Sequence, residues 1–485
     1  MSLLDSAVWH GKIFVDEWVE GGGGTQNVVE PASGDVLGEI GVASPEDVSN
    51  AARSAHAAHL DWAAQTPEHR AAVLRRAGSL WEEHEAEIAD WIVREAGSIP
   101  PKAGLEIHIA AQECYEASAL PTHPSGLVLP SSEPRWSFAR RRAAGVVTVI
   151  APFNFPLILS IRSVAPALAL GNAVLLKPDP RTAVCGGVAL VRIFEEAGLP
   201  PGLLQLLPGG TEVGTAAVSA PEVRVVAFTG STAAGRAVGS LGAEHLKRVH
   251  LELGGNNALV VLPGADVAAA ASAGAFGSWM HQGQICMATG RHLVHESLYD
   301  DYLAALSAKA ENLPVGNPAK EQVALGPIID AKQLARVDSL VTRTVDAGAT
   351  LSAGGTYDGL FYAPTVLSDV TPEMPAYAEE VFGPVAPVIR FSTVDEAVAL
   401  ARGNEYGLSL GILGDVGLAM AVADAVPSGI VHINEQTVGD EANIPFGGVG
   451  WSGNGSRVGG AEANLEAFTD TQWLTMRAEI APYPF

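Results

Sequence analysis

The chain has 485 residues, more than one hydrophobic core usually supports, so we expect two or three domains. Hydrophobic residues make up 48% of it and charged residues 17%, which is typical of a well-buried globular protein. Its 54 acidic residues against 29 Lys and Arg give a net charge of −25. This charge argues against nucleic acids and anionic membranes as partners, because both are bound through an excess of basic residues.

The three cysteines, Cys114, Cys185 and Cys286, are widely separated, and their spacing predicts neither a disulfide framework nor a metal site. They fit a reducing compartment, and the first residues carry no basic stretch followed by an apolar one. We therefore expect a cytoplasmic protein without a signal peptide. The most apolar stretch, residues 146–176, is interrupted by prolines, asparagines and an arginine, so it predicts no membrane-spanning helix.

The first part of the chain predicts helices. Ser44-Pro45 and Thr66-Pro67 each place a capping hydroxyl before a proline and an acidic residue, as at a helix start. The second start opens a long amphipathic pattern of apolar residues that reaches Ile92. We expect these helices to cover a sheet.

From Gly145 onward, short apolar strands alternate with helices. Strands are predicted at 146–150, 173–176, 203–207 and 223–228, with a helix over Cys185, and a second alternating series runs from 257 to about 434. This alternation predicts βαβ units and parallel sheets. Ligands bind beyond the carboxyl ends of such strands, where Asn154, Lys177 and Gly230 fall.

Residues 127–142, with the basic run Arg140-Arg141-Arg142, lie between the helical and the strand-rich regions. Together with the tail after Phe468, they predict a protruding pair of strands. Because exposed strand edges tend to pair with another chain, we expect a homodimer or a homotetramer.

Cys286 and Glu252 are the candidate catalytic pair, in the runs Gly283-Gln284-Ile285-Cys286 and Leu251-Glu252-Leu253. A thiol and a carboxyl group suffice to oxidise an aldehyde through a thioester: one attacks carbon, and the other activates water. Between two leucines, Glu252 is partly desolvated, which raises its pKa toward the range of a general base. Taken alone, a free cysteine is more often an inert core residue, and an acid here can simply cap a turn.

Three further positions suit a bound anion. Asn154, in a loop stiffened by Pro152 and Pro156, can donate an amide N–H to an oxyanion together with the Cys286 main-chain N–H, although an Asx-turn role is the alternative. Lys177 ends an apolar strand, where a snorkelling surface lysine is the alternative. The glycine-bounded turn 230–235 enters a predicted helix, and helix N-termini bind phosphate groups.

The order of six motifs points to one superfamily. They are Ala151–Pro156, Leu176–Pro178, Phe228–Gly235, Leu251–Gly255, Gly283–Cys286 and Glu379–Pro384, and Pro445–Gly448 and Ser452-Gly453 follow them. With this ordered set the chain resembles the NAD(P)-dependent aldehyde dehydrogenase superfamily over essentially its whole length. On residues 152–156, 177–182 and 286–291 it is most similar to the benzaldehyde dehydrogenases of bacterial aromatic degradation.

The resemblance implies an α/β fold with a Rossmann-type cofactor domain, a second α/β catalytic domain and a small β oligomerisation arm. The implied division is 1–126 and 143–251 for dinucleotide binding, 252–434 for catalysis, 127–142 and 465–485 for the arm and tail, and 435–464 for a return segment lining the substrate tunnel.

It also implies roles for single residues: Cys286 as nucleophile, Glu252 as water-activating base and Asn154 as oxyanion donor. Cofactor contacts are implied for Phe153, Lys177, Gly230, Ser231, Gly235, Leu253, Glu380 and Phe382. Glu380 and Phe382 can alternatively be a helix-end acid and a core aromatic. NAD is the expected cofactor. NADP is the alternative, because Pro180 replaces a ribose-binding acid that the family often has.

The residues expected to line the substrate tunnel are apolar: Phe155, Leu159, Met280, Ile285, Met287 and Phe446. Such a tunnel predicts an uncharged aromatic aldehyde, with benzaldehyde oxidised to benzoate through a Cys286 thiohemiacetal and thioester. Arg162 can face either way, so an aliphatic or semialdehyde substrate remains the alternative. A coenzyme A-acylating enzyme would not need Glu252, and a non-catalytic binding protein would be free to lose Cys286, Glu252 or Asn154.

Overall fold

The computed structural model describes residues 2–485 and contains two large sheets, each covered by helices. The helices are α1 Ser6–Trp9, α2 Pro45–Ala63, α3 Pro67–Glu83, α4 Glu85–Ala96, α5 Pro100–Ala119, α6 Pro156–Ala169, α7 Ala189–Glu196, α8 Thr211–Ser219, α9 Thr232–Glu244, α10 Val267–Trp279, α11 Tyr299–Asn312, α12 Ala331–Asp346, α13 Pro375–Ala378, α14 Val394–Ala401, α15 Val416–Ala425 and α16 Ala461–Phe468.

The strands are β1 Lys12–Val15, β2 Glu17–Glu20, β3 Thr25–Val29, β4 Val36–Gly41, β5 Gly126–Val128, β6 Trp136–Ala143, β7 Val146–Ile150, β8 Ala173–Lys177, β9 Leu204–Leu206, β10 Val223–Thr229, β11 Arg248–Glu252, β12 Asn257–Val261, β13 Thr289–His295, β14 Thr350–Ala353, β15 Tyr357–Asp358, β16 Phe361–Tyr362, β17 Thr365–Ser368, β18 Val385–Phe391, β19 Tyr406–Gly407, β20 Ser409–Leu413, β21 Ile430–Ile433, β22 Val449–Gly450 and β23 Thr469–Met476. No helix among residues 2–485 is long and apolar enough to cross a membrane.

The first large sheet has the order β11-β10-β7-β8-β9-β1-β2. Its five strands from β11 to β9 are parallel, and β1 joins β9 in the antiparallel sense. In this register Ile150 pairs with Lys177 and Thr229 with Glu252. The carboxyl ends of four strands therefore meet at one edge, as the alternating pattern predicts.

The second large sheet has the order β14-β17-β18-β13-β12-β20-β21, and apart from the antiparallel β14–β17 pair its strands are parallel. The chain passes from one sheet to the other through Gly254-Gly255. Glu252 thus ends the first sheet, whereas the predicted division places it at the start of the second unit. Cys286 lies just before β13 and faces the same junction.

A small third sheet, β5-β6-β23, forms the arm. Strand β23 pairs with β6 over eight residues, from Thr469 opposite Ala143 to Met476 opposite Trp136. The predicted pair of strands is therefore extended by a third strand, β5, on the other side of β6. Large apolar side chains remain exposed on this arm, among them Leu127, Trp136 and Trp473.

Some helices differ from the sequence expectation. The amphipathic pattern after Thr66 is two helices, α3 and α4, which meet at His84, the C-cap of the first and the N-cap of the second. The helix over Cys185 begins as a π-helical turn, Val184–Val188, because Gly186 and Gly187 let this segment contact Pro156 and Pro178 closely. The N-terminal strands β1 to β4 were not predicted, since their apolar residues are few and their pattern is short.

Candidate active site

Two cavities meet at the junction between the large sheets. One, of about 420 Å³, is called the apolar cavity, and the other, of about 300 Å³ at the strand ends, is called the cleft. Asn154, Leu159 and Cys286 line both. A thiol and an amide therefore stand where a molecule in one cavity would touch a molecule in the other.

The turn before Cys286 has an unusual left-handed backbone. Residues 281–283 have φ angles of 47°, 55° and 64°, a conformation that costs energy at the two positions that are not glycine. The Gln282 amide holds the turn by donating to the carbonyl oxygens of Gly97 and Pro327, at 3.1 and 2.8 Å. These contacts fix the direction in which the chain delivers Cys286 to the junction.

The Cys286 main chain is fixed as well. Asn257 Nδ2 donates to the carbonyl oxygens of Cys286 and Ala288, each at 2.8 Å. A Cβ at Gly255 would lie 2.3 Å from the Cys286 oxygen, so this position requires glycine. Burial raises the pKa of the Cys286 thiol, and the negative charges of Glu380, Glu252 and Asp440 raise it further.

Asn154 is buried and held from two sides. Its side-chain Nδ2 donates to the main-chain carbonyl oxygen of Gln284 at 2.8 Å, and its main-chain carbonyl oxygen accepts from Lys102 Nζ at 2.7 Å. An amide nitrogen carries two hydrogens, so one N–H stays available for a group bound beside Cys286. Asn154 thus keeps an N–H donor in the wall that the two cavities share.

Glu252 is buried at the end of β11 and lines neither cavity in this conformation. Burial raises its pKa well above the ordinary value, and the positive charges of Arg457 and Arg162 offset this in part. A Cβ at Gly447 would lie 2.7 Å from Glu252 Oε1, so glycine makes room for the carboxyl group. The negative charge of Glu252 also contributes to the raised pKa of the Cys286 thiol.

Most of the residues expected to bind a cofactor line the cleft: Phe153, Lys177, Gly230, Ser231, Leu253, Glu380 and Phe382. Gly235 does not line it. A Cβ there would lie 2.2 Å from the Leu253 side chain, so Gly235 instead lets α9 pack against Leu253. The helix begins directly after Ser231, whose Oγ accepts from the Ala234 N–H at 3.3 Å.

The charges of the cleft suit a dinucleotide. Three cations, Lys177, Arg181 and Arg336, share its wall with the N-terminus of α9. Glu380 accepts from the Gly255 N–H at 2.9 Å, and burial raises the pKa of this carboxyl group to about 7.

Arg181 also joins the two sheets across the rim of the cleft. It donates to both oxygens of Asp179, each at 2.8 Å, and to Asp330 Oδ2 at 2.6 Å. Asp330 caps α12, a helix of the second unit. The guanidinium lies 4.2 Å from the centre of the Phe153 ring, so one side chain orients a wall of the cleft and bridges its rim.

All six residues expected in the substrate tunnel line the apolar cavity: Phe155, Leu159, Met280, Ile285, Met287 and Phe446. Further apolar residues that were not predicted complete the wall: Leu105, Ile109, Ile158, Phe276, Val438 and Ile444. The charged groups on the wall, among the residues that the structure describes, are the acids Glu435, Asp440 and Glu441, and neither Lys nor Arg lines it.

Comparison with known proteins decides the family. The chain matches the aldehyde dehydrogenase family over residues 18–474. It is 64% identical over 486 residues to a vanillin dehydrogenase of Amycolatopsis sp., with 100% of both chains covered. It is 48% identical to a benzaldehyde dehydrogenase [NAD(+)] of Pseudomonas putida, with 99% of each covered. The chain belongs to the aldehyde dehydrogenase family.

A solved structure agrees. The crystal structure of a salicylaldehyde dehydrogenase from Pseudomonas putida complexed with salicylaldehyde matches with a TM-score of 0.94 at 34% identity, covering 98% of this chain and 99% of that one. The resemblance inferred from the ordered motifs, and the fold it implies, are confirmed.

In this aldehyde dehydrogenase Arg162 has a definite orientation. Its guanidinium donates to Glu113 Oε1 and Asp440 Oδ1, both at 2.8 Å, and lies 4.9 Å from the centre of the Phe446 ring. Two carboxyl groups thus face one buried cation behind the cavity wall. Arg162 therefore offers no unbalanced positive charge to a ligand in the apolar cavity.

Two buried charged residues near the junction were not singled out from the sequence. Lys102 and Glu106 are one helical turn apart on α5, and both are fully buried. In the sequence they look like an ordinary exposed pair at helical spacing, but they lie on the covered face of α5, whereas Leu105, His108 and Glu116 lie on its exposed face. The apolar residues around Ile107 and Ile109 were the only signal.

Proposed function

We propose that this enzyme oxidises uncharged aromatic aldehydes, of the benzaldehyde and vanillin kind, to carboxylic acids, with NAD as the hydride acceptor. The observation that carries the proposal is the shared wall of the two cavities, where Cys286 and Asn154 face both. The names of the vanillin and benzaldehyde dehydrogenases that this chain is similar to agree with it.

In the first half of the proposed reaction, the Cys286 thiolate attacks the aldehyde carbon. The negative charge that develops on the aldehyde oxygen is stabilised by the available Asn154 N–H and the Cys286 main-chain N–H. NAD, which Lys177, Ser231 and Glu380 of the cleft would hold, would accept the hydride of the adduct and so leave a thioester on Cys286. The wall formed by the Phe153 and Phe382 rings, 6.0 Å apart, encloses this end of the cleft.

In the second half, Glu252 takes a proton from a water molecule, which attacks the thioester carbon and releases the acid. Its raised pKa makes the carboxylate a stronger base than an exposed glutamate. Because Glu252 lines neither cavity in this conformation, its side chain must turn toward Cys286 for this step. The glycine backbone at Gly447, beside the carboxyl group, leaves room for such a rotation.

The charges around the apolar cavity favour an uncharged substrate. A semialdehyde acid would bring a carboxylate to a wall that carries three acids and no Lys or Arg among the described residues. The two buried cations behind this wall are already paired, Arg162 with Glu113 and Asp440 and Lys102 with Glu106. Burying a carboxylate without a partner is costly, so we expect the cavity to exclude it.

The cleft favours NAD over NADP. Both Asp179 and Asp330 bind Arg181, so this cation is balanced by two acids and does not attract a further anion. Lys177 is then the one cation left for the adenosine ribose at this end, and burial lowers its pKa. A 2′-phosphate carries close to two negative charges and would need more donors than one lysine.

The arm suggests the assembly. Trp136 and Trp473 lie on neighbouring strands and are about two-thirds exposed, at 61% and 65%. Exposed aromatic residues on an open sheet are typical of protein–protein contacts. We propose that a second copy of the chain covers them in a homodimer or homotetramer, in a cytoplasm that keeps the three thiols reduced.

A substrate panel tests the proposed function. We expect kcat/KM to be at least about 100-fold higher for benzaldehyde and vanillin than for succinic semialdehyde, because an unpaired buried charge costs several kcal/mol. With each aldehyde, NAD should give the higher kcat/KM. A preference for succinic semialdehyde would overturn the substrate class, and acyl-coenzyme A formed on adding coenzyme A would overturn hydrolysis as the second half of the reaction.

A further inference from the structure

Lys102 lies directly behind the Asn154 loop. Its ammonium donates to the carbonyl oxygen of Asn154 at 2.7 Å and to the Glu106 carboxylate. It also lies 4.3 Å from the centre of the Phe155 ring, which forms part of the apolar cavity. Lys102 lines neither cavity, so it can contact neither a substrate nor a cofactor.

Glu106 holds the other side of the same loop. Its Oε2 accepts from the main-chain N–H groups of Leu157 and Ile158, at 3.1 and 3.4 Å. Both N–H groups belong to the first turn of α6, where main-chain N–H groups have no partner within the helix and a negative charge is stabilising. The pair Lys102–Glu106 on α5 therefore holds a main-chain carbonyl and two N–H groups within residues 154–158, where the Asn154 loop enters α6.

Stability alone gives a poor account of this pair. Both side chains are completely buried, and taking two charges out of water costs about as much as their attraction returns. Apolar residues of the same volume often stabilise a protein equally well or better. What they cannot do is hydrogen-bond the Asn154 carbonyl and the N–H groups that follow it.

We propose that Lys102, together with Glu106, is a positioning residue for the oxyanion. By fixing the Asn154 main chain from behind, it directs the Asn154 amide toward the aldehyde oxygen at Cys286. The inference rests on the proposed role of Asn154. The position of the Asn154 N–H matters for the rate, because a displacement of about 1 Å can lower the rate roughly 100-fold.

A double-mutant cycle tests whether Lys102 acts through Asn154. The variants are Lys102→Met/Glu106→Gln, which removes both charges together, Asn154→Ala, and the combination of the two. We expect the pair variant to lower kcat/KM for benzaldehyde about 10- to 100-fold in the wild-type background, and by less than about 2-fold beside Asn154→Ala. Equal losses in both backgrounds would overturn the inference, since a structural defect lowers the rate whether or not Asn154 is present.

Controls separate positioning from general damage. Glu95→Gln changes another fully buried carboxyl group, which accepts from the Val184 and Cys185 N–H groups and does not contact Asn154. Its kcat/KM should stay within about 2-fold of the wild type. The dissociation constant of NAD should be unchanged in the pair variant, because the cleft does not include Lys102.

If the pair variant does not fold, Glu106→Gln alone repeats the cycle with a side chain of the same shape. It should lower kcat/KM in the wild-type background and leave the Asn154→Ala enzyme unchanged. Failure of the proposed function looks different, since the wild type would then not oxidise benzaldehyde. An Asn154→Ala enzyme with full kcat/KM would overturn the oxyanion role and the positioning inference together.

Discussion

The apolar cavity and the cleft share Cys286 and Asn154 but differ in charge. The cleft carries three cations and two acids, Asp179 and Glu380, on its wall, whereas the apolar cavity carries three acids and, among the described residues, neither Lys nor Arg. The chain as a whole has a net charge of −25. A local excess of cations in one place is therefore a better guide to where an anionic ligand binds than the total charge.

Two arginines near the site show how this difference in charge is kept. Arg162, behind the apolar cavity, and Arg181, at the rim of the cleft, are each bound by two carboxyl groups. Arg162 is almost fully buried, at 3% side-chain exposure, whereas Arg181 is 36% exposed. Arg162 supports the wall of the apolar cavity without offering an unbalanced charge, whereas Arg181 lines the cleft and bridges its rim to Asp330.

Removing the Cys286 thiol, which lines both cavities, should have the largest effect on the reaction rate. Cys286→Ala should lower kcat for benzaldehyde by about 10⁴-fold or more, because no neighbouring group can replace the nucleophile. Reduced NAD, followed by its absorbance, measures this. Cys114→Ala, at a fully buried thiol on α5, should keep full activity. Substantial turnover by the Cys286 variant would contradict the assignment.

Glu252→Gln should separate the two halves of the reaction. The amide cannot accept a proton from water, so steady-state turnover should fall about 10²- to 10³-fold. The first turnover should still release one equivalent of reduced NAD per site, because hydride transfer precedes hydrolysis. Rapid mixing measures this burst. Its absence would mean that Glu252 acts before the thioester forms.

Arg162→Met removes the cation that balances the acids behind the apolar cavity. Breaking a buried pair costs about 3–5 kcal/mol, because Glu113 and Asp440 are left without their partner. Even with Arg162 present, burial raises the pKa of Glu113 to about 7. A carboxyl group whose pKa is raised by folding favours the folded state at low pH and loses this contribution as pH rises through the folded pKa.

The loss of stability in Arg162→Met should therefore be larger at pH 8 than at pH 5.5, as measured by urea unfolding at both values. Arg343→Met is the matched control. Arg343 pairs with Glu379 at the surface, where both side chains are 49% exposed, so its loss should cost less than about 1 kcal/mol at either pH. An equal loss at the two pH values in Arg162→Met would show that the acids behind the cavity are already neutral.

Much of the site could be predicted from the sequence. Many residues of the apolar cavity and of the cleft stand in short motifs, and the strand pattern was strong enough to bring Asn154, Lys177 and Gly230 to one edge. The Glu252 carboxyl group is buried, as its two leucine neighbours predict. These positions could be predicted because they depend on residues that are close in the sequence.

What could not be predicted depends on partners far away in the chain. The orientation of Arg162 is set by Glu113 and Asp440, which are 49 and 278 residues distant. The proposed role of Lys102 depends on its contact with Asn154, 52 residues later in the chain. A single sequence shows that these residues carry charges, but only the folded structure shows which partners they contact.

Pro180→Glu should sharpen the selectivity of the cleft, with the smallest effect of the four. The proline lies between Asp179 and Arg181 on the rim, and its carbonyl oxygen accepts from Gln26 Nε2 at 3.1 Å, an interaction that does not depend on the side chain. An acid here would repel a 2′-phosphate while accepting hydrogen bonds from the ribose hydroxyls of NAD. We expect the ratio of kcat/KM for NAD to that for NADP to rise about 10-fold, which is about 1.4 kcal/mol.

The position of the new charge, and not its presence alone, should produce this shift. Pro221→Glu adds the same charge on an exposed turn before β10, at the opposite ends of the strands, and should leave the ratio unchanged. If both variants raise the ratio equally, the net charge of the protein selects the cofactor. If neither does, the adenosine ribose lies away from residue 180. A rise in the Pro180 variant alone would place the ribose at the rim beside Lys177.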